Sequence, residues 1–222
     1  MLEKEAIEKG IDIEKLKEEQ KKLSKLVVFE DKIDFSLANR FAGIDIEFLK
    51  TKEILVSIVI IGENMQIIEE RYSIDKIKFP YLIGFRAYRE LMTILETFRK
   101  LEEGFDVVFI KANGLSHARN CGLATHLGIL LNKPVIGITE HIDESAKTKG
   151  EYIYTGNKKT AKKITTKEGS KPFYVDVGNL ISLDSALMLT KKMIIPPHKL
   201  PEPLILAKKS TNKTRKILFL EE

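Results

Sequence analysis

The hydrophobic positions in the first third of the chain predict one helix and an antiparallel sheet. Between residues 11 and 27, apolar side chains recur every three or four residues, which is typical of an amphipathic helix that covers one end of a sheet. Three strand-like runs follow, and only short turns at residues 50–52 and 62–64 separate them, so we expect an antiparallel meander. The predicted strands are Phe41 to Leu49, Ile54 to Ile61 and Met65 to Ile74.

In the middle of the chain, helical periodicity alternates with short runs that are apolar throughout. Such runs are typical of parallel strands that are covered on both faces. The predicted elements are a helix at 84–101, a strand at 107–110, a helix at 119–131 and a strand at 134–138. A meander followed by these β-α-β units predicts an α/β fold with a mixed five-stranded sheet flanked by helices.

The remainder of the chain predicts further elements but no second domain. The elements are a polar hairpin at 151–166, a strand at 173–177, a helix at 183–192 and an irregular tail from Pro196. The sequence contains no internal repeat and no linker-like segment that would divide it. We therefore predict a single domain over residues 1–222, with its core at about residues 40–208.

Composition and charge indicate the compartment and the class of partner. The longest apolar run, residues 54–61, is far shorter than the ~18 residues of a membrane span, and the first ten residues alternate charges, unlike a signal peptide. The single cysteine, Cys121, excludes an internal disulfide and fits a reducing compartment. We expect a cytoplasmic protein with no membrane partner. The net charge of +5 leans weakly toward an anionic partner such as nucleic acid.

Asp45 is a candidate site residue in the first predicted strand. Ile44 and Ile46 point to one face of the strand, and Asp45 points to the other. A carboxylate inside such a strand is costly unless ionic or hydrogen-bonding partners meet it. Asp45 is therefore either a structural residue with satisfied hydrogen bonds or a metal ligand.

Glu90 and Tyr81 are candidates at the start of the long helix. Glu90 lies four residues after Arg86, so a surface ion pair within the helix competes with a role as a ligand. Tyr81 follows Pro80 in the loop before the helix, where an aromatic ring either plugs the loop or is exposed for stacking on a base.

The segment after the 107–110 strand is a candidate phosphate site. A turn that follows a parallel strand is where α/β sheets bind their ligands. Gly114, Ser116, His117 and Arg119 lie in this turn and supply an imidazole, a guanidinium and free backbone amides. The alternative is an ordinary capped turn in which Ser116 is the N-cap and His117 is solvated.

Several short motifs, taken in order, resemble those of the endonuclease V family. Each motif is loose by itself, but their order and spacing agree over residues 15–208. The motifs are FAGID at 41–45, PYL at 80–82, RE at 89–90, GLSHAR at 114–119, GLATHLG at 122–128, PVIGI at 134–138, KPFYV at 171–175 and LPEP at 200–203.

The resemblance implies a ribonuclease-H-like fold and a nuclease that takes part in DNA repair. Members of the family cut DNA or RNA strands near deaminated adenine (inosine) and use Mg²⁺. Asp45 matches the family's first metal-binding Asp, and Glu90 matches its catalytic Glu. Tyr81 matches the aromatic residue of the strand-separating wedge, next to Pro80, and His117 matches the active-site His.

Five positions depart from the family's pattern. The family's second metal-binding Asp is Lys111 here, and its catalytic Lys is Glu140. The second Pro of the wedge is Ile83, the His of the turn is Asn113, and Lys208 stands where the family has a His. Because the first two changes are complementary, we expect the two charges to lie in contact beside the metal-binding Asp.

Two functional hypotheses follow. In the first, the protein is a Mg²⁺-dependent endonuclease with Asp45, Glu90 and Glu140 as metal ligands. Lys111 then faces the scissile phosphate, and His117 assists the attacking or leaving oxygen.

In the second hypothesis, the Lys111 ammonium occupies the position of the cation and Mg²⁺ is absent. The protein is then a catalytically silent family member that holds nucleic acid. Its binding residues are Pro80, Tyr81, Gly114, Ser116 and Arg119. A scaffold without a nucleic acid partner is a third, weaker alternative, and the sequence does not indicate the oligomeric state.

Overall fold

The computed structural model describes residues 10–142 and 146–220, with backbone alone at 219 and 220. Its helices are α1 (Ile13–Ser24), α2 (Arg86–Arg99), α3 (Leu123–Leu131), α4 (Leu183–Lys192) and α5 (Glu202–Leu220). Its strands are β1 (Arg40–Phe48), β2 (Glu53–Gly62), β3 (Ile67–Lys76), β4 (Val107–Ile110), β5 (Val135–Thr139), β6 (Lys147–Lys149), β7 (Tyr152–Thr155), β8 (Lys158–Ile164) and β9 (Phe173–Asn179).

The strands form one mixed sheet in the order β3-β2-β1-β4-β5-β9-β8-β7-β6. Strands β1, β4 and β5 are parallel to one another, and the remaining neighbours pair antiparallel. The predicted mixed α/β sheet is confirmed, but the predicted count of five strands is too small. Strand β9 pairs with β5 and carries the polar hairpin into the same sheet, a long-range pairing that local periodicity does not reveal.

Helices cover both faces of the sheet. One core cluster joins the inner side chains of β1, β2 and β4 to α2 and α3, and includes Ile44 and Ile110. The other joins the opposite face to α4 and α5, and includes Phe41 and Phe109. Side chains alternate along a strand, so Asp45 lies on the face of Phe41 and is directed toward α5.

Helix α5 corrects the prediction of an irregular tail. Its buried positions include Leu204, Ala207, Thr211 and Thr214, at the spacing of a helical stripe. Small and hydroxyl-bearing residues occupy most of this stripe, so hydropathy alone gives a weak signal.

The start of helix α5 approaches β1 closely. A Cβ atom at Gly43 would lie 2.0 Å from the carbonyl oxygen of Pro203, so only glycine permits this contact. The contact sets the first turn of the helix directly on β1, next to Asp45.

Helix α3 begins at Leu123, four residues later than predicted. Gly122 N donates to the carbonyl oxygen of Gly114 over 3.0 Å, and Asn120 has a φ of 52°. These features close residues 114–122 into a turn, because a left-handed residue interrupts a helix. The predicted helical start at Arg119 is therefore wrong.

No helix in the described part of the chain combines the length and the apolar character needed to cross a bilayer.

Candidate functional site

Two of the predicted site residues, Asp45 and Lys111, lie at the carboxyl ends of the adjacent strands β1 and β4. Ile44 and Ile110 are partners in the parallel register, so Asp45 and Lys111 come next on adjacent strands. Glu90 reaches this edge from α2, which packs over β2 and β3. The carboxyl edge of parallel strands is where open α/β sheets bind ligands.

Asp45 is ion-paired with a lysine of α5. Its carboxyl group is buried, and Lys208 Nζ lies 3.5 Å from Oδ2. The same ammonium lies 3.3 Å from Glu47 Oε2, and Arg215 Nη1 lies 2.6 Å from Glu47 Oε1. Among residues 10–142 and 146–220, none forms a hydrogen bond with Asp45 Oδ2. Lys208, which the sequence indicated only as a departure from the family, is therefore the cation that pairs with the predicted metal ligand within the described residues.

Glu90 pairs with Arg86, as the helical spacing suggested, but the pair is not a surface pair. Glu90 is 1% exposed, and Arg86 Nε donates to its Oε1 over 2.7 Å. Its Oε2 atom is buried and has no hydrogen-bond partner in the described part of the chain. Burial raises the pKa of the Glu90 carboxyl group, and the positive charges of Arg86 and Arg89 oppose this rise. Arg86 Nη1 also donates to the carbonyl oxygen of Lys111.

The structure does not bring Lys111 and Glu140 into an ion pair. Glu140 Oε1 instead accepts from Lys199 Nζ over 2.5 Å, and this contact lowers the pKa of Glu140. The Lys111 side chain is exposed and forms no ion pair within the described residues. The expectation of a contact beside Asp45 is wrong because the loop before α5 supplies a nearer lysine to Glu140.

Asp45 and Glu90 are the buried carboxylates to consider as ligands of a divalent cation. In residues 10–142 and 146–220, no three His, Cys, Asp or Glu side chains form a group that could hold a metal, so Glu140 does not join the other two. Asp45 Oδ2 and Glu90 Oε2 are nevertheless buried acceptors without hydrogen bonds. Mg²⁺ is commonly held by one or two carboxylates with water and substrate phosphate. In the structure each of the two carboxylates has a cationic partner, Lys208 for Asp45 and Arg86 for Glu90.

Asp176 organises the Gly114–Arg119 turn, and the sequence analysis missed it. This residue of β9 is fully buried, accepts from Gly114 N over 2.6 Å and from Ser116 N over 3.2 Å, and also accepts from the Ser116 hydroxyl. The alternative in which Ser116 caps a helix is wrong, because Gly122 is the N-cap of α3. An Asp between Val175 and Val177 was the available signal, of the same kind as at Asp45.

Asp176→Asn is expected to reduce the pH dependence of stability between about pH 4 and pH 7. Burial raises the pKa of Asp176 to about 7, against hydrogen bonds from Ser116 and Gly114 that lower it. Over this range the folded protein binds more protons than the unfolded chain. The contribution of Asp176 to the free energy of unfolding is therefore fully present below about pH 4. It is lost as the pH rises to about 7, by at most about 1.4 kcal/mol per pH unit.

Urea unfolding at several pH values measures this effect. The exposed Asp184→Asn variant is the matched control and should keep the wild-type slope. Equal slopes in both variants would contradict the role of Asp176.

Tyr81 is exposed rather than packed as a loop plug. Its side chain is 56% exposed, and the neighbouring Ile83 is 78% exposed. The Arg89 guanidinium carbon lies 5.7 Å from the centre of the Tyr81 ring. Behind this projecting loop is a cavity of about 320 Å³. Its lining includes Gln20, Tyr81, Leu82, Ile83, Gly84, Asn113, His117, Cys121, Gly122 and Leu123.

Gln20 of α1 joins the loop to the turn. Its side chain donates to the carbonyl oxygens of Gly84 and Cys121, and Arg119 Nε donates to its Oε1 over 2.6 Å. Arg119 Nη2 and His117 Nε2 lie 2.7 and 3.1 Å from the same Gly84 oxygen. Helix α1 thus does more than cover the sheet, because it braces the cavity wall. Arg119 shapes this wall rather than projecting freely toward a phosphate.

The endonuclease V family model matches residues 21–209. The chain belongs to the endonuclease V family. An endonuclease V from Thermosipho melanesiensis is 38% identical over 216 residues, covering 94% of this chain and 91% of that protein. An endonuclease V from Bacillus thuringiensis is 33% identical and covers 90% and 91% of the two chains.

Solved endonuclease V structures share the fold. The Bacillus subtilis endonuclease V superposes with a TM-score of 0.83 at 28% identity, covering 91% of this chain and 92% of the other. An endonuclease V from Ciona intestinalis, in complex with an inosine-containing DNA, has a TM-score of 0.83 at 22% identity and covers 93% and 98%. The ribonuclease-H-like fold implied by the motifs is confirmed.

Proposed function

We propose that the protein acts on nucleic acid strands that contain deaminated adenine, as an endonuclease of the endonuclease V type. The observation that supports this most is the cavity of about 320 Å³ beside exposed Tyr81 and Ile83. Enzymes that act at one base of a duplex or strand take that base out of the stack and hold it in such a pocket. A related endonuclease V was solved with an inosine-containing DNA.

Recognition would be carried by the loop and the turn. Tyr81 would stack on a base next to the extruded one, and Pro80 would hold the loop. Asn113 and His117 line the cavity and supply polar groups for the edge of the base. Gly114 and Ser116 would fix the shape of the turn through Asp176, and Arg119 would fix the cavity wall through Gly84.

Hydrolysis would use the carboxyl edge of the sheet. Asp45 and Glu90 would hold Mg²⁺, which when bound polarises the phosphate and acidifies a water molecule. Lys111 is exposed in a cleft of about 300 Å³ with Arg86, where it would attract the strand's phosphate. His117, which was expected to assist the attacking or leaving oxygen, would instead serve the cavity, because its two ring nitrogens contact the Gly84 oxygen and the Arg119 amide. Glu140 would not be a metal ligand, because its carboxylate pairs with Lys199.

A second candidate is a family member that holds such strands without cutting them. The observation that favours it is the Lys208 ammonium 3.5 Å from Asp45, together with a lysine at position 111. In that case the positive charges that balance the carboxylates would come from side chains rather than from a divalent ion. These side chains are Lys208, Arg86 and Lys111. In either case the partner is DNA or RNA, and the buried free thiol of Cys121 fits the cytoplasm.

A cleavage gel separates the two candidates. Purified protein is incubated with single strands that carry inosine or adenosine at one position, with Mg²⁺, with Mn²⁺ or with EDTA, and a binding titration runs in parallel. We expect metal-dependent product next to inosine from an endonuclease. Binding that prefers inosine but gives no product supports the second candidate, and absence of binding contradicts both.

Tyr81→Ala is expected to weaken binding to the inosine strand about tenfold, and binding to the adenosine strand by much less. Stacking of a base on an aromatic ring contributes about 1–3 kcal/mol. Tyr72→Ala is the matched control, since Tyr72 is 48% exposed on β3 and does not line the cavity. Equal losses on the two strands would show that Tyr81 does not take part in recognition of the base.

A further inference from the structure

The excess positive charge of the chain is concentrated in one segment. Residues 147–163 contain six lysines and one glutamate, a net charge of +5. The whole chain also has a net charge of +5, from 37 basic and 32 acidic residues. The rest of the chain, with 31 basic (37 minus 6) and 31 acidic (32 minus 1) residues, is therefore neutral. An anionic partner that is attracted by the net charge is attracted to this segment.

The segment forms strands β6, β7 and β8 at one edge of the sheet. These three strands together are the β6–β8 hairpin. Most of its lysine side chains are exposed, and of the six only Lys162 is ion-paired within the described residues, to Glu151 at 3.8 Å. Lysines on an edge strand also prevent pairing between sheets, which accounts for those of β6. It does not account for Lys163, which lies where β8 also pairs with β9.

The hairpin is attached to the turn that carries His117. Thr155 Oγ1 lies 3.2 Å from two acceptors, the carbonyl oxygen of Leu115 and Asn120 Oδ1, and its hydroxyl donates to one of them. A cleft of about 170 Å³ lies between the two elements, with His117 on one side and Lys147 and Tyr154 on the other. A strand bound at the turn would therefore reach the hairpin through this cleft.

Lys147 and Tyr154 form a pair suited to one nucleotide. They are register partners on β6 and β7, and both line the cleft. A basic groove with aromatic rings is the usual arrangement for binding a single strand, because ammonium groups meet the phosphates and rings meet the bases. Tyr152 is not available in the same way, since Lys159 and Lys162 lie 4.2 and 5.0 Å from the centre of its ring.

We propose that the β6–β8 hairpin binds the single strand that continues from the recognised base, with Tyr154 stacking on a base and the lysines on its phosphates. This inference rests on the proposed function, because it extends the strand beyond the same site. The hairpin would then supply the electrostatic part of the affinity for the strand, and the cavity would recognise the base.

The test compares a short inosine strand, which covers only the cavity, with a long one that also reaches the hairpin. Fluorescence anisotropy gives affinities at several salt concentrations. For Lys147→Gln/Lys149→Gln we expect roughly tenfold weaker binding of the long strand and a salt slope smaller by about 1.4, two contacts at about 0.7 each. The short strand should bind as it does to the wild type.

The matched control is Lys191→Gln/Lys192→Gln, which removes two charges at the end of α4, where Lys192 pairs with Glu63 in the β2–β3 turn. It should bind both strands as the wild type does. Tyr154→Ala should weaken the long strand only, with an unchanged salt slope. Equal losses in the two lysine variants, or equal wild-type affinity for both strands, overturn the hairpin's role and leave the proposed function standing. A wild type that binds neither strand overturns both.

Discussion

The Lys111→Asp/Lys208→His variant is expected to bind Mg²⁺ about 100-fold more tightly than the wild type. The change removes the ammonium that lies 3.5 Å from Asp45 and places a carboxylate next to it in the register of β4. One charge near a protein surface changes the energy of a neighbouring ion by up to about 4 kcal/mol at 4 Å. A gain of about 2.7 kcal/mol, or 100-fold, is therefore a conservative expectation.

Isothermal titration with Mg²⁺ measures this gain. Lys208→His alone should give an intermediate value. Lys111→Asp/Glu140→Lys, the exchange that the sequence suggested, should gain less, because it leaves Lys208 in place and removes the partner of Lys199. Lys213→Gln on the same helix, which pairs with Glu70, is the matched control and should not gain. Tight Mg²⁺ binding by the wild type would contradict the idea that side-chain cations weaken the site.

Asp45→Asn is expected to abolish metal-dependent cleavage, both in the wild type and in the Lys111→Asp/Lys208→His variant. The amide keeps the shape of the side chain but loses the charge that a hard cation requires. The fold should survive, because Lys208 keeps its contact with Glu47.

A denaturing gel and a thermal melt followed by circular dichroism measure the two effects separately. Asp75→Asn, which removes a paired carboxylate on β3, is the control and should leave cleavage unchanged. Undiminished cleavage by folded Asp45→Asn protein would falsify its role as a metal ligand.

The sequence by itself determined the central architecture. Strands β1 to β5 and helices α2 and α4 lie within a few residues of their predicted positions, because their apolar side chains repeat with the period of the element. The same local reasoning found Asp45 in an apolar strand, but it left open whether Tyr81 was packed or exposed, which the structure decided. Motif order gave the family, which the comparisons confirmed.

The tertiary structure decided which charges meet. Lys208 lies beside Asp45 across 163 positions of sequence, and Lys199 pairs with Glu140 across 59. Sequence spacing carries no information about such pairs, so the complementary change at Lys111 and Glu140 suggested a contact that does not form. Helix α5 was not predicted, because its buried stripe contains alanine and threonine and so gives a weak hydropathy signal. Its place in the fold depends on a distant residue, Gly43, which lets the helix contact β1. Periodicity within an element is local and can be recognised from the sequence. The pairing of buried charges depends instead on packing between elements that are distant in the chain.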